Sequence, residues 1–104
     1  MQVQISGDSH ITADDTLVRD VEGVLTEALG RFGERITRVE VHLRDENAHK
    51  AGPADKRCLL EARLSGRPPV AVHHDAATIP QALDGAVQKL QRSIESQLGR
   101  AEGY

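Results

Sequence analysis

Two stretches of this 104-residue chain alternate so regularly that they leave little choice of conformation. In RITRVEVHLR, residues 35–44, Thr37, Val39, Val41 and Leu43 point one way and Arg38, Glu40, His42 and Arg44 the other. In KRCLLEARL, residues 56–64, Cys58, Leu60, Ala62 and Leu64 share one face. A period of two puts one set on a core and the other in water, as in half-buried strands. MQVQI at the start repeats the pattern with Val3 and Ile5, and VAVHH, residues 70–74, adds a short fourth strand. Pro68 and Pro69 precede it, which an edge strand tolerates because its outer N–H groups need no ladder partner.

A sheet with one apolar face needs a cover. Leu17, Val21, Val24, Leu25, Ala28, Leu29 and Phe32 recur at helical spacing, and Leu83, Val87, Leu90, Ile94 and Leu98 do so again. The first helix is expected to take Thr12 as N-cap, with Asp15 at the capping-box position, and to exit at Gly30 and Gly33. The second is expected over residues 78–99, leaving 100–104 as a disordered tail. DENAHKAGPAD, residues 45–55, reads as a loop. The order is then β-α-β-β-β-α. The first two strands flank a helix, so they should run parallel with a right-handed crossover, and the shorter later links should make antiparallel pairs. The expectation is an α+β domain over residues 1–104: two layers, a four-stranded mixed sheet, and both helices on one face.

Composition narrows the function. One Phe and one Tyr offer no platform for stacking bases. With 13 basic against 16 acidic residues the net charge is −3, which argues against a general nucleic-acid binder but not against a local basic face. Cys58, the single cysteine, has no disulfide partner and reads as a small core residue suited to a reducing cytoplasm. No signal-peptide-like or membrane-spanning run occurs, so a cytoplasmic location without membrane contact is expected.

Enzyme chemistry has little support. His73 and His74 are adjacent on a strand and so face opposite ways; they cannot easily share an ion and read as surface histidines, as does His42. Asp14 and Asp15 read as helix-start acids rather than catalytic carboxylates. The glycines of GRFG and SGRPP lack the spacing of phosphate-binding loops. No catalytic residue, cofactor, metal or small-molecule substrate is expected.

The closing helix separates its charges. With Lys89 at zero, Arg92 falls about 60° to one side and Arg100 about 20° to the other, with Gly85, Ser93 and Ser96 in the same arc. The apolar stripe centres about 140° away, and Asp84 and Glu95 lie beyond it. A stripe of small and basic residues lets a phosphate backbone come close. The same pattern also fits the solvated face of an amphipathic helix.

Three passages resemble one family. MQVQISGDSHITADD is similar to the opening strand and capped helix of the ribosome hibernation-promoting factor and ribosome-associated inhibitor A family, the sigma-54 modulation proteins. RFGERITRVEVHL resembles its aromatic-x-x-x-Ile-x-x-Val-x-Val-x-Leu passage, and AATIPQALDGAVQKLQRSIESQL its closing helix with Lys-Leu-x-Arg. The resemblance runs nearly end to end and implies the same β-α-β-β-β-α fold. It further implies a partner, the small ribosomal subunit with its 16S-type RNA. Binding near the decoding region would block messenger and transfer RNA in stress or stationary phase. By matching position the RNA-binding residues would be Lys89 and Arg92, then Arg31 and Arg35, Lys56 and Arg57, and Arg100. The chain departs from the family in ending GRAEGY where a Lys-rich end is usual. The alternative is a divergent, non-ribosomal protein-interaction module that keeps the fold. Oligomeric state is left open.

Overall fold

The computed structural model describes residues 1–8, 11–45 and 55–102, with side chains through residue 99. Strand β1, Gln2–Gly7, leads to helix α1, Asp15–Leu29. A 3-10 segment, Gly30–Arg35, then turns the chain into β2, Ile36–Asp45. Strands β3, Lys56–Leu64, and β4, Val70–Ala76, complete the sheet, and α2, Ile79–Glu102, closes the chain. The spatial order is β1-β2-β3-β4, with β1 parallel to β2 and the other two pairs antiparallel. The expected α+β architecture, a four-stranded mixed sheet with two helices, is the observed one.

Alternation explains the layers. Val39, Val41 and Leu43 of β2 and Cys58, Leu60, Ala62 and Leu64 of β3 are buried in one core with Val21, Leu25 and Leu29 of α1 and Leu90, Ile94 and Leu98 of α2. Both helices therefore cover the same sheet face. Phe32 is fully buried beneath the 3-10 segment. Truncating any of these large side chains to Ala should cost about 2–5 kcal/mol, transfer and cavity terms together. The opposite face is wet and carries the rows Gln4–Glu40–Glu61–Ala71 and Ser6–His42–Leu59–His73.

Four local readings need correction. The N-cap of α1 is Asp14, not Thr12: the Asp14 carboxylate accepts the Leu17 amide at 2.9 Å, and the helix starts at Asp15. A carboxylate also suits the positive end of the helix dipole. Thr37 does not share the inward face of β2. Ile36 pairs with Leu64 and Arg38 with Arg63, so two steps on β2 oppose one on β3. This bulge turns Thr37 outward, where its hydroxyl donates to the Arg63 carbonyl, and gives the core position to Ile36. Strand β4 runs two residues past VAVHH, to Ala76. Helix α2 continues through Arg100 to Glu102 instead of ending at residue 99; residues 103–104 of the expected tail lie outside the described residues, as does most of the 45–55 loop. Gly33 makes the turn into β2 at φ 58°, a left-handed backbone that glycine adopts without penalty.

Candidate nucleic-acid interface

The candidate cations divide between two ends of the molecule. Arg31 and Arg35 sit on the 3-10 segment, where the Arg35 carbonyl accepts the Ser65 amide at 2.8 Å and so ties the start of β2 to the end of β3. Arg31 forms an ion pair with Glu95 of α2, and its guanidinium carbon lies 4.5 Å from the Phe32 ring centroid. The C-terminal half of α2 thus meets the 3-10 turn at one end of the sheet. A surface hollow of about 540 Å³ lies there, lined by Arg31, Gly33, Glu34, Arg35 and Ser65.

Lys56 and Arg57 belong to the opposite end, where β3 begins beside the last residues of β2 and β4. Both are engaged by acids. The Lys56 ammonium lies 3.0 Å from Asp55 and 3.4 Å from Asp45. The Asp55 hydrogen bond is the main reason its pKa rises above the usual lysine value. Arg57 grips Asp75 with two bonds, Nε to Oδ1 at 2.7 Å and Nη2 to Oδ2 at 3.1 Å. That hydrogen bonding holds the Asp75 carboxyl below its ordinary value. Arg31 and Arg35 are therefore not brought together with Lys56 and Arg57.

Lys89 and Arg92 are exposed on α2. The Lys89 ammonium donates to the His73 carbonyl at 2.9 Å, on the outer edge of β4, and no carboxylate lies within ion-pair distance of Lys89 or Arg92 among the described residues. The Arg100 side chain lies outside the described residues. Arg67, which the sequence reading passed over, joins this group: its Nη1 donates to the Gln97 carbonyl at 3.5 Å. It belongs to the turn before β4, and the only clue in the sequence was that this turn must return beside the C-terminal half of α2.

The small residues of α2 have a different role from the one their spacing suggested. Gly85 is not an opening for a phosphate backbone. The His74 imidazole fills that space so closely that an added Cβ would lie 2.0 Å from its Cδ2. Ala82 and Ala86 are fully buried beside it. Together they let α2 settle close onto the sheet, which places Lys89 within reach of the β4 backbone.

The remaining candidates are structural. His73 is exposed and His74 faces the helix, as strand alternation requires; His42 shares the outer row with His73, separated by Leu59, and its Nδ1 is 2.9 Å from the Ser6 hydroxyl. No group of three metal-ligating side chains occurs among the described residues. Burial pushes the Cys58 thiol up to about 12, so it stays protonated and unreactive. No described helix is long and apolar enough to cross a membrane.

The β-α-β-β-β-α order and the sheet topology place the chain in a known fold class. Residues 3–102 match the family model described as sigma 54 modulation protein / S30EA ribosomal protein. The chain belongs to this family, one of ribosome-associated modulation factors that is not known as a family of enzymes. Its fold is similar to the crystal structure of the Thermus thermophilus Protein Y N-terminal domain, with 22% identity, a TM-score of 0.74, and 92% of this chain and 98% of that one covered. It is also similar to a ribosomal subunit interface protein from Coxiella burnetii, with 15% identity, a TM-score of 0.68, and both chains covered in full. No curated protein sequence matches the chain significantly.

Proposed function

We propose that this protein is a translational regulator of the cytoplasm that binds the small ribosomal subunit near the decoding region and blocks messenger and transfer RNA in stress or stationary phase. The observation that carries the reading is the surface of α2. Lys89 and Arg92 are exposed there without carboxylate partners among the described residues, in a chain whose family model matches residues 3–102. Arg67 on the neighbouring turn extends the same surface. Attachment is electrostatic: these cations bond phosphate oxygens and read the shape of folded RNA rather than its sequence. Inhibition is steric, since an occupied channel admits no message. Arg31 and Arg35 border the surface and contribute contacts, Arg31 after its bond to Glu95 is exchanged for phosphate. Arg100 lies further along α2 and is a candidate by sequence position. Lys56 and Arg57, held by Asp45, Asp55 and Asp75 at the far end, serve the sheet instead.

The test is ribosome sedimentation of the tagged protein from stationary-phase cells. Wild type should travel with small-subunit-containing fractions, and Lys89→Glu with Arg92→Glu should shift it to the top of the gradient, a loss of at least tenfold in bound protein. A wild type that stays at the top even in low salt contradicts the proposal. That outcome suits the second reading, a protein-interaction module without an RNA role. The pairing of Arg31, Lys56 and Arg57 with acids favours that reading.

A further inference from the structure

Helix α1 has the wrong charge for an RNA-facing surface. Over Asp15–Leu29 it carries four carboxylates, Asp15, Asp20, Glu22 and Glu27, against one arginine, Arg19. The two helices are tied together where they approach the 3-10 turn, by the Gln91 amide donating to the Ala28 carbonyl at 3.1 Å and by the Arg31–Glu95 pair. Toward their N-terminal halves a cleft opens between them. Its deeper part is a cavity of about 210 Å³ with Leu17, Val24, Ile79 and Leu83 on its apolar floor and Asp20 and Asp84 at its edge. A second hollow of about 270 Å³ continues it past Val24 and Asp84 to Ala28, with Glu27 alongside. Along α1 the groove runs from Leu17 to Ala28, a length of about 16 Å, or three helical turns. Leu17, Val24, Ala28 and Ile79 are only partly buried. No side-chain hydrogen bond or ion pair among the described residues engages the carboxylates of Asp20, Glu27 or Asp84.

We propose that this groove docks a short basic amphipathic helix of a protein partner. The floor takes apolar anchors spaced three and four residues apart, as helix-in-groove recognition requires. The carboxylate rim selects Lys and Arg flanking those anchors and repels acidic segments. The length of the groove matches a helix of about ten to twelve residues. This inference goes beyond the proposed RNA surface, which begins at Lys89 and Arg92 and runs toward the C-terminal end of α2, whereas the groove lies between α1 and the N-terminal half of α2.

The test uses the full chain and a labelled 14-residue helical peptide of Leu and Lys with Leu at positions i, i+4, i+7 and i+11. A scrambled peptide of identical composition is the control for charge alone. The ordered peptide should bind at least tenfold tighter than the scrambled one, and amide shifts in NMR spectra should concentrate in residues 17–28 and 79–88. Asp20→Asn with Asp84→Asn should weaken binding about tenfold, and Asp20→Lys with Asp84→Lys should transfer the preference to a Leu and Glu peptide. Both substitutions are at exposed positions, and circular dichroism verifies the fold. Lys89→Gln with Arg92→Gln should change peptide affinity less than threefold and without loss of the preference for the ordered peptide, which separates this test from that of ribosome binding. Equal binding of the scrambled peptide, shifts elsewhere, or insensitivity to both double substitutions overturns the proposal. So does a chain that dimerises alone in light scattering and becomes monomeric with Asp20→Lys and Asp84→Lys, because the occupant is then a second copy.

Discussion

At Gly85 the backbone of α2 comes so close to His74 that a methyl group would have to displace the imidazole, whose Cδ2, Cγ and Nε2 lie 2.0–2.4 Å from the ideal Cβ position. Two effects compete in Gly85→Ala. Helix propensity favours Ala by about 1 kcal/mol. Overpacking a filled site costs about 1–3 kcal/mol. Since the ring is wedged between helix and strand, we expect the second to win, with a net loss of about 1 kcal/mol in urea unfolding. Adding His74→Ala should turn Gly85→Ala from harmful to helpful, a coupling that a double-mutant cycle measures. A gain of about 1 kcal/mol in Gly85→Ala alone, the full helix-propensity term, would show that the contact carries no strain. The residue scale was poorly legible in the sequence for one reason. Spacing gives a side chain its angle on a helix, but not the neighbour that fills the space beside it. Gly85 had the right angle for a phosphate-facing surface and the wrong neighbour.

Between elements, the governing interactions join residues far apart in the chain. Arg57 and Asp75 clasp across β3 and β4 on the wet sheet face. The Asp75 carboxyl is held below its ordinary value of 3.8 by that arginine. A lowered acid contributes stability above the unfolded value and loses it as pH falls through the folded one. Wild type should therefore exceed Asp75→Asn by about 0.5 kcal/mol at neutral pH, as suits a pair more than a third exposed. The difference should shrink as pH drops below 3.8, and a pH series of urea midpoints reads it. A gap that persists in acid would mean that Asp75 acts by packing and not by charge. The strands and helices themselves were legible because period two and period 3.6 survive in aliphatic residues: Cys58, Leu60, Ala62 and Leu64 all fell inward as read. Two of the four errors came where two residues competed for one role, Thr12 with Asp14 for the cap and Thr37 with Ile36 for a core position, and the other two were element ends. The Arg31–Glu95 pair, 64 residues apart, has no local signature at all.

The whole molecule divides its charge in a way its net value of −3 conceals. Arg31, Arg35, Arg67 and Arg92 gather around the 3-10 turn and the second half of α2, while Asp20, Glu27 and Asp84 border the open end of the helix pair. The family resemblance agreed with the fold already read from periodicity, because the passages that carry it also build the core: β1, the entry to β2, and α2. The cations it offers as RNA contacts fall at different places on the domain, Arg31 and Arg35 on the 3-10 segment and Lys56 and Arg57 at the start of β3. Core positions follow from the period of strand and helix, whereas a surface charge takes its partner from elsewhere in the chain, as Lys56 does from Asp45 and Asp55. The central claim is that Lys89 and Arg92 attach the domain to ribosomal RNA through phosphate contacts. The affinity of the purified chain for isolated small subunits, measured across a salt series for wild type and Lys89→Gln with Arg92→Gln, tests it most directly. We expect weaker binding of the variant at every salt concentration and a slope of log affinity against log salt shallower by about 1.5, from two contacts released. Equal slopes and affinities for the two proteins, or no binding by wild type at the lowest salt, would contradict it.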